Sequence, residues 1–144
     1  MTTLDTAVTT IPNGRSDKLI GSLRSAVLGL SPSQSADFHP SARAALEAGG
    51  SFRPVSLGEG IWAGVRSAAD GSAHVLFAHN LTAMPVSFTP GEALPEEPGG
   101  AAQLYFLAGA SASSTESTGA TVSELEPHGF VWLARFSADA EPRL

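Results

Sequence analysis

The sequence predicts a mainly β protein: an antiparallel β-sandwich, Greek-key-like in its connections, preceded by a short helical lead-in. Three observations carry this expectation. Helical spacing of apolar residues is confined to the first third of the chain. From Phe52 onward the chain reads as short apolar runs separated by turn signals. The length, 144 residues, suits one domain that buries about two-thirds of its unfolded surface.

The reading divides the chain into a flexible arm (1–16), a helical lead-in and connector (17–50), a β-sandwich (51–138) and a short tail (139–144). The arm is Thr-rich and holds the turn sequence Pro12-Asn13-Gly14. In the lead-in, Leu19, Ile20, Leu23, Val27, Leu28 and Leu30 recur at spacings of three and four, one face of a helix. Ser16 or Asp17 is placed to cap its start, and Ser31-Pro32 to end it. Ser41 to Ala48 is a second brief helical piece, stopped by Gly49-Gly50.

Strands follow. Ile61 to Arg66 and Ala73 to His79 flank Asp70-Gly71, a pair suited to a tight turn. Pro85 to Phe88 is a third strand, and Thr89 to Ala102 a long loop with three prolines and three carboxylates. Gln103 to Ala108 is a fourth. Gly109 to Ala120, almost all Ala, Ser, Thr and Gly, reads as a loop with little to bury. Thr121 to Leu125 and Phe130 to Phe136 are two further strands, split by Pro127-His128-Gly129.

Composition excludes several functions. With 8 Lys+Arg against 14 Asp+Glu and a net charge of −6, the chain is a poor binder of nucleic acid, whose affinity comes from cations on phosphates. It has no cysteine, so disulfides and thiolate chemistry are absent. A complete (β/α)8 barrel needs about 250 residues and does not fit. Residues 1–10 lack the basic and apolar regions of a secretory signal, and no apolar run spans a bilayer. A soluble, cytoplasmic protein without membrane contact is the expectation.

No catalytic, metal or cofactor site is expected. His39, His74, His79 and His128 show no metal-binding spacing, and His74 and His79 fall at opposite parity on one strand. Ser111, Ser113 and Ser114 sit in the low-complexity segment, without a GxSxG elbow. Gly58-Glu59-Gly60 lacks the Lys of a phosphate loop. Glu92, Glu96 and Glu97 lie in the Pro-rich loop, and Glu124 and Glu126 share a strand face beside a turn rather than in a cleft. Asn80-Leu81-Thr82 is formally a glycosylation tripeptide. Trp62, Tyr105 and Trp132 are candidates for stacking on sugar rings, with core packing the stronger explanation.

Three segments carry a family resemblance over roughly residues 17 to 137. Ala36-Asp37-Phe38-His39-Pro40 resembles the "AFHP" passage that leaves the catalytic barrel in glycoside hydrolase family 13 enzymes, especially the sucrose phosphorylase-like group. Val75 to Thr82, continuing to Pro85-Val86, resembles the "HNLTDxPV" strand–turn–strand of their C-terminal β-domain. Leu125 to Leu133 resembles its closing "LxPYGFxWL" strand, with His128 in place of Tyr; Asp37 likewise replaces Ala.

The resemblance implies a non-catalytic accessory or stabilising β-domain of a sucrose phosphorylase-like or α-amylase-like enzyme, as a stand-alone, split or truncated product. The family's catalytic Asp/Glu/Asp set belongs to the barrel, and no residue here matches it. It also implies a partner for the helix face of Leu19, Leu23, Val27 and Leu30: the β-domain itself, a (β/α)8-barrel chain or a second copy. The alternative reading is a small carbohydrate-binding module using exposed aromatics.

Overall fold

A computed structural model describes residues 8–10, 23–31, 33, 38, 40–94, 104–117 and 120–137; the side chains of 8–10, 23–25, 41, 110, 111, 113–117, 120 and 121 fall outside the description. The elements are β1 (Val8–Thr10), α1 (Leu23–Leu28), α2 (Pro40–Leu46), β2 (Ser51–Val55), β3 (Ile61–Ser67), β4 (Ala73–Asn80), β5 (Val86–Phe88), a 3-10 turn (Pro90–Glu92), β6 (Leu104–Ser117) and β7 (Ala120–Phe136). Among the described residues no helix is long and apolar enough to cross a membrane.

The hairpin predicted around Asp70-Gly71 forms. Gly71 adopts a φ of 77°, which a residue without Cβ takes without strain, and its N–H donates to the Ala68 carbonyl at 2.9 Å. Asp70 Oδ1 accepts the Ser72 N–H at 3.0 Å. These bonds set the β3–β4 register from Ser67↔His74 to Ile61↔Asn80.

The strands run β1-β6-β7-β4-β3-β2 in one curled sheet, with β5 beside β7. From β4 the chain passes through β5 to β6 and returns as β7, which fills the place between β6 and β4. The expected mainly antiparallel β class is what forms. One pair is parallel: β1, inside the segment expected to be a flexible arm, runs beside β6 from Val8↔Leu104 to Thr10↔Phe106.

Two expectations are corrected along β6 and β7. The segment Gly109 to Ala120 is not a loop, because β6 continues to Ser117 and pairs with β7 up to Ser117↔Ala120. Ser, Thr and Ala bring little apolar surface, yet each carries a backbone donor and acceptor that a neighbouring strand satisfies. Nor does Pro127-His128-Gly129 split the last strand. Leu125 faces Ala112 and Phe130 faces Ala110, so Glu126 to Gly129 bulge out opposite Ser111 alone. His128 sits in this bulge at φ 60°.

β7 is the spine. One edge pairs with β6; the other pairs first with β5 and then, from Phe130 to Phe136, with β4. Both of its faces are covered, so Val131 to Phe136 is buried throughout. Trp132, Phe136, Val75 and Phe77 point to the side that receives Phe38, Leu30 and Leu46 from the helical segments. Val131, Leu133, Leu76 and Val65 point to the opposite side, against Leu125 and Phe88.

The lead-in is tied to the sheet rather than appended to it. α1 ends at Gly29, whose φ of 91° makes the left-handed stop, instead of at the expected Ser31-Pro32. A Cβ on Gly29 would come within 2.8 Å of the Ala48 nitrogen. Leu30 N–H then donates to the Leu46 carbonyl at 2.7 Å. Leu30 faces this protein's own core, whereas Val27 and Leu28 are 38% and 58% exposed. Leu19, Ile20 and the Ser16/Asp17 cap lie outside the described residues, as does the side chain of Leu23.

Arg66, on β3 and only 3% exposed, joins these pieces. Its Nε donates to the Ala45 carbonyl at 2.9 Å and its Nη1 to that of Val27 at 2.8 Å. Nη2 donates to Glu47 at 2.6 Å and to Gly50 at 3.3 Å. Helix ends leave carbonyls without internal partners, and one guanidinium serves both ends here. Arg66→Met, which keeps the stem and removes the donors, is expected to lower stability by about 3 kcal/mol, read as a fall in the urea midpoint. Arg66→Lys is expected to restore only part of that loss, because a compact ammonium reaches fewer carbonyls.

Candidate functional site

The three aromatic candidates occupy different environments. Trp132 is fully buried, stacked on Phe38 at 6.3 Å and edge-on to Phe77 at 4.4 Å. Tyr105 is also buried and packs edge-on against Phe136 at 5.4 Å. Burying an aromatic of Trp size removes roughly 200 Å² from water, on the order of 5 kcal/mol. Exposing such a ring costs more than the roughly 0.5–1.5 kcal/mol that a stacking contact returns. Trp62 alone of the three reaches the surface, half-buried on β3.

Around Trp62 the sheet carries a rank of rings. Trp62, His79 and Phe130 lie directly opposite one another across β3, β4 and β7. Phe52 of β2 stacks on Trp62 at 6.0 Å, with its ring over Gly64, where any Cβ would clash. The helices cover the Arg66 end of this sheet face. The opposite end, with Phe52, Trp62 and Phe130 all half-buried, is a partly exposed apolar edge. Among the described residues it offers ring contacts and no acid–base pair.

His79 is the polar member of the rank. Trp132 Nε1 donates to its Nε2 at 3.3 Å, Phe130 stacks on it at 5.2 Å and Trp62 meets it edge-on at 5.5 Å. Accepting at Nε2 places the ring's proton on Nδ1 and makes the imidazole neutral. Burial lowers its pKa to about 4.

The neighbouring residue, Asn80, organises the end of the sheet. Its side chain is buried and its Nδ2 donates to the carbonyls of Met84 at 2.6 Å, Glu126 at 3.1 Å and Leu125 at 3.3 Å. Oδ1 accepts the N–H and hydroxyl of Thr82 at 2.9 and 2.7 Å. Donors on one side and acceptors on the other fix which end of the amide is nitrogen. The Thr82 carbonyl in turn accepts the His128 N–H at 3.1 Å. The turn after β4 and the bulge in β7 are therefore one unit, with Leu81 and Met84 exposed beside it. Read as a glycosylation tripeptide, Asn80-Leu81-Thr82 hides this role; an Asn bonding its own chain two residues on is the signal that reveals it.

The remaining candidates are dispersed. His74 is half-buried on the other sheet face, its Nδ1 2.7 Å from Ser67 Oγ, and His128 is exposed. Glu92, Glu124 and Glu126 are exposed. A hydrogen bond from the Ser72 side chain, then one from its backbone, holds the Asp70 carboxyl below its ordinary value. Asp70 lines a shallow open depression with Ala44, Glu47, Gly49 and Ala69. Ser111, Ser113 and Ser114 lie on β6, with their side chains outside the description; His39, Glu96 and Glu97 lie outside the described residues. Among the described residues no three His, Asp or Glu side chains group as metal ligands.

No protein-family model matches the sequence, and no curated protein matches it. Among solved structures, an alpha-amylase from H. orenii is similar over 60% of this chain and 16% of its own, at 13% sequence identity and a TM-score of 0.46. This chain thus spans a small part of that enzyme's length.

The Asn80 unit is testable by two substitutions. Asn80→Ala is expected to destabilise by about 2–3 kcal/mol, since it removes the bonds to the Leu125, Glu126 and Met84 carbonyls and to Thr82 together. Asn80→Asp keeps the acceptor for Thr82 but turns a carboxylate toward three carbonyls. It is expected to be at least as damaging at pH 7 and to recover partly as the acid protonates, in urea titrations at pH 7 and pH 4.

Proposed function

We propose that this protein is a non-catalytic accessory and stabilising β-domain of a carbohydrate-active, sucrose phosphorylase-like or α-amylase-like architecture, as a stand-alone, split or truncated product. One observation carries the reading: the three segments that resemble that family interlock with one another instead of converging on a reactive group. Phe38 of the first stacks on Trp132 of the third. Asn80 of the second bonds the carbonyls of Leu125 and Glu126 in the third, and His79 accepts from Trp132. The side chains of His79, Asn80, Thr82 and Trp132 are engaged in holding the fold.

A (β/α)8-barrel chain or a second copy is the proposed partner of the lead-in helix, and the cytoplasm the proposed location. Leu30 is committed to the domain's own core, so Val27 and Leu28 carry the outward contact. The second reading, a small carbohydrate-binding module, rests on half-buried Trp62. Phe52 already lies on that ring and His79 against it, which favours the accessory role over a stacking platform.

Purified protein is expected to show no turnover of sucrose with phosphate or of maltose, measured by released reducing sugar and glucose phosphate. It is also expected to give no heat and no change in tryptophan emission on titration with sucrose or short α-glucans. Turnover overturns the non-catalytic reading. Saturable binding that is lost in Trp62→Ala replaces it with the binding-module reading.

A further inference from the structure

The ring of His79 lies among uncharged rings: Trp62 from β3, and Phe130 and Trp132 from β7, with Phe52 of β2 behind Trp62. On β7 the nearby titratable groups, Glu126 and His128, are exposed on the bulge, and His74 of β4 is on the opposite face. Burial is the cause of the weak basicity of His79. The residue therefore has one hydrogen bond at Nε2 that only the neutral ring can accept, and among the described residues no carboxylate bonds to it.

We propose that His79 is an acid-sensitive latch for the aromatic end of the sheet. Uptake of one proton from solvent at Nε2 ends the bond accepted from Trp132 and sets two N–H groups against each other. The charged ring leaves its place between Trp62 and Phe130, and the Phe52–Trp62–Phe130 edge opens to water. The Arg66-bound helices and the β4–β7 ladder stay in place, because their hydrogen bonds involve no group that titrates in this range. This proposal is independent of the accessory-domain reading.

The sign follows from linkage. An opened His79 titrates near the ordinary value of 6.5, and the enclosed one near 4. The closed form is fully favoured above pH 6.5, loses ground as pH falls toward 4, and loses no more below that. Across this window the open-to-closed ratio rises by up to tenfold per pH unit, roughly 300-fold in all.

The test follows the His79 ring nitrogens and the indole N–H groups by NMR on the intact chain from pH 7.5 to 3.5, with far-UV circular dichroism in parallel. The expected result is that His79 takes up its proton between pH 6.5 and 3.5, and that the Trp132 indole resonance moves with the same midpoint while the far-UV signal is unchanged. Trp62→Phe leaves Trp132 as the sole tryptophan. Its emission is expected to shift with that midpoint, and the shift to vanish when His79→Gln, which keeps an acceptor, is added. Simultaneous loss of the far-UV signal, titration of His79 without movement of Trp132, or no titration above pH 3.5 each overturns the latch.

Discussion

A buried guanidinium with carbonyls on every side is the constraint from which the architecture of this protein follows. Burial lowers the basicity of Arg66, yet a guanidinium stays charged at neutral pH, so its cost is met only by hydrogen bonds. The acceptors come from the ends of two helices of six and seven residues and from the turn after the second. Helices that short do not persist alone in water, because nucleation outweighs the few bonds they add. Arg66 and the helices therefore require each other: the cation needs acceptors, and the helices need an anchor on the sheet. Once anchored, they deliver Leu30, Leu46 and Phe38 to the sheet and close one face of the core.

Asn80 applies the same principle at the other end of β3 and β4. Its amide satisfies carbonyls that a four-residue bulge in β7 would otherwise leave unpaired, and it fixes the turn into β5. Polar side chains inside a sheet domain are costly unless all their atoms are used. Here one such residue sits at each end of the same pair of strands. Between them the core is apolar and aromatic, with Trp132 at its centre and a bond to His79 that links the core to the Asn80 end.

This arrangement bears on function through what it leaves available. The family-like motifs hold residues of types that elsewhere do chemistry, and among the described ones His79, Asn80, Thr82 and Trp132 bond one another or the backbone. Among the described residues, the large apolar side chains that remain exposed are Val27 and Leu28 on α1 and Leu81 and Met84 beside the Asn80 turn, and the edge around Trp62 is half-buried.

By itself the sequence determined the β class, the Asp70-Gly71 hairpin and a strand over Phe130 to Phe136, because short apolar runs and turn chemistry are local properties. It also marked residues 75–86 and 125–133 as special without saying why. Only the tertiary structure decided the fate of the Ser-rich 109–120 stretch, the bulge at Pro127-His128-Gly129, the inward turn of Leu30 and the partners of Arg66 and Asn80. Each of these depends on where a backbone group finds its hydrogen-bond partner, and the partners lie up to 46 residues away in the chain. Trp62, Tyr105 and Trp132 show the same division. Their residue type is equally suited to a sugar or a core, and only the packing of Phe38, Phe77 and Phe136 separates the two buried rings from the one at the surface.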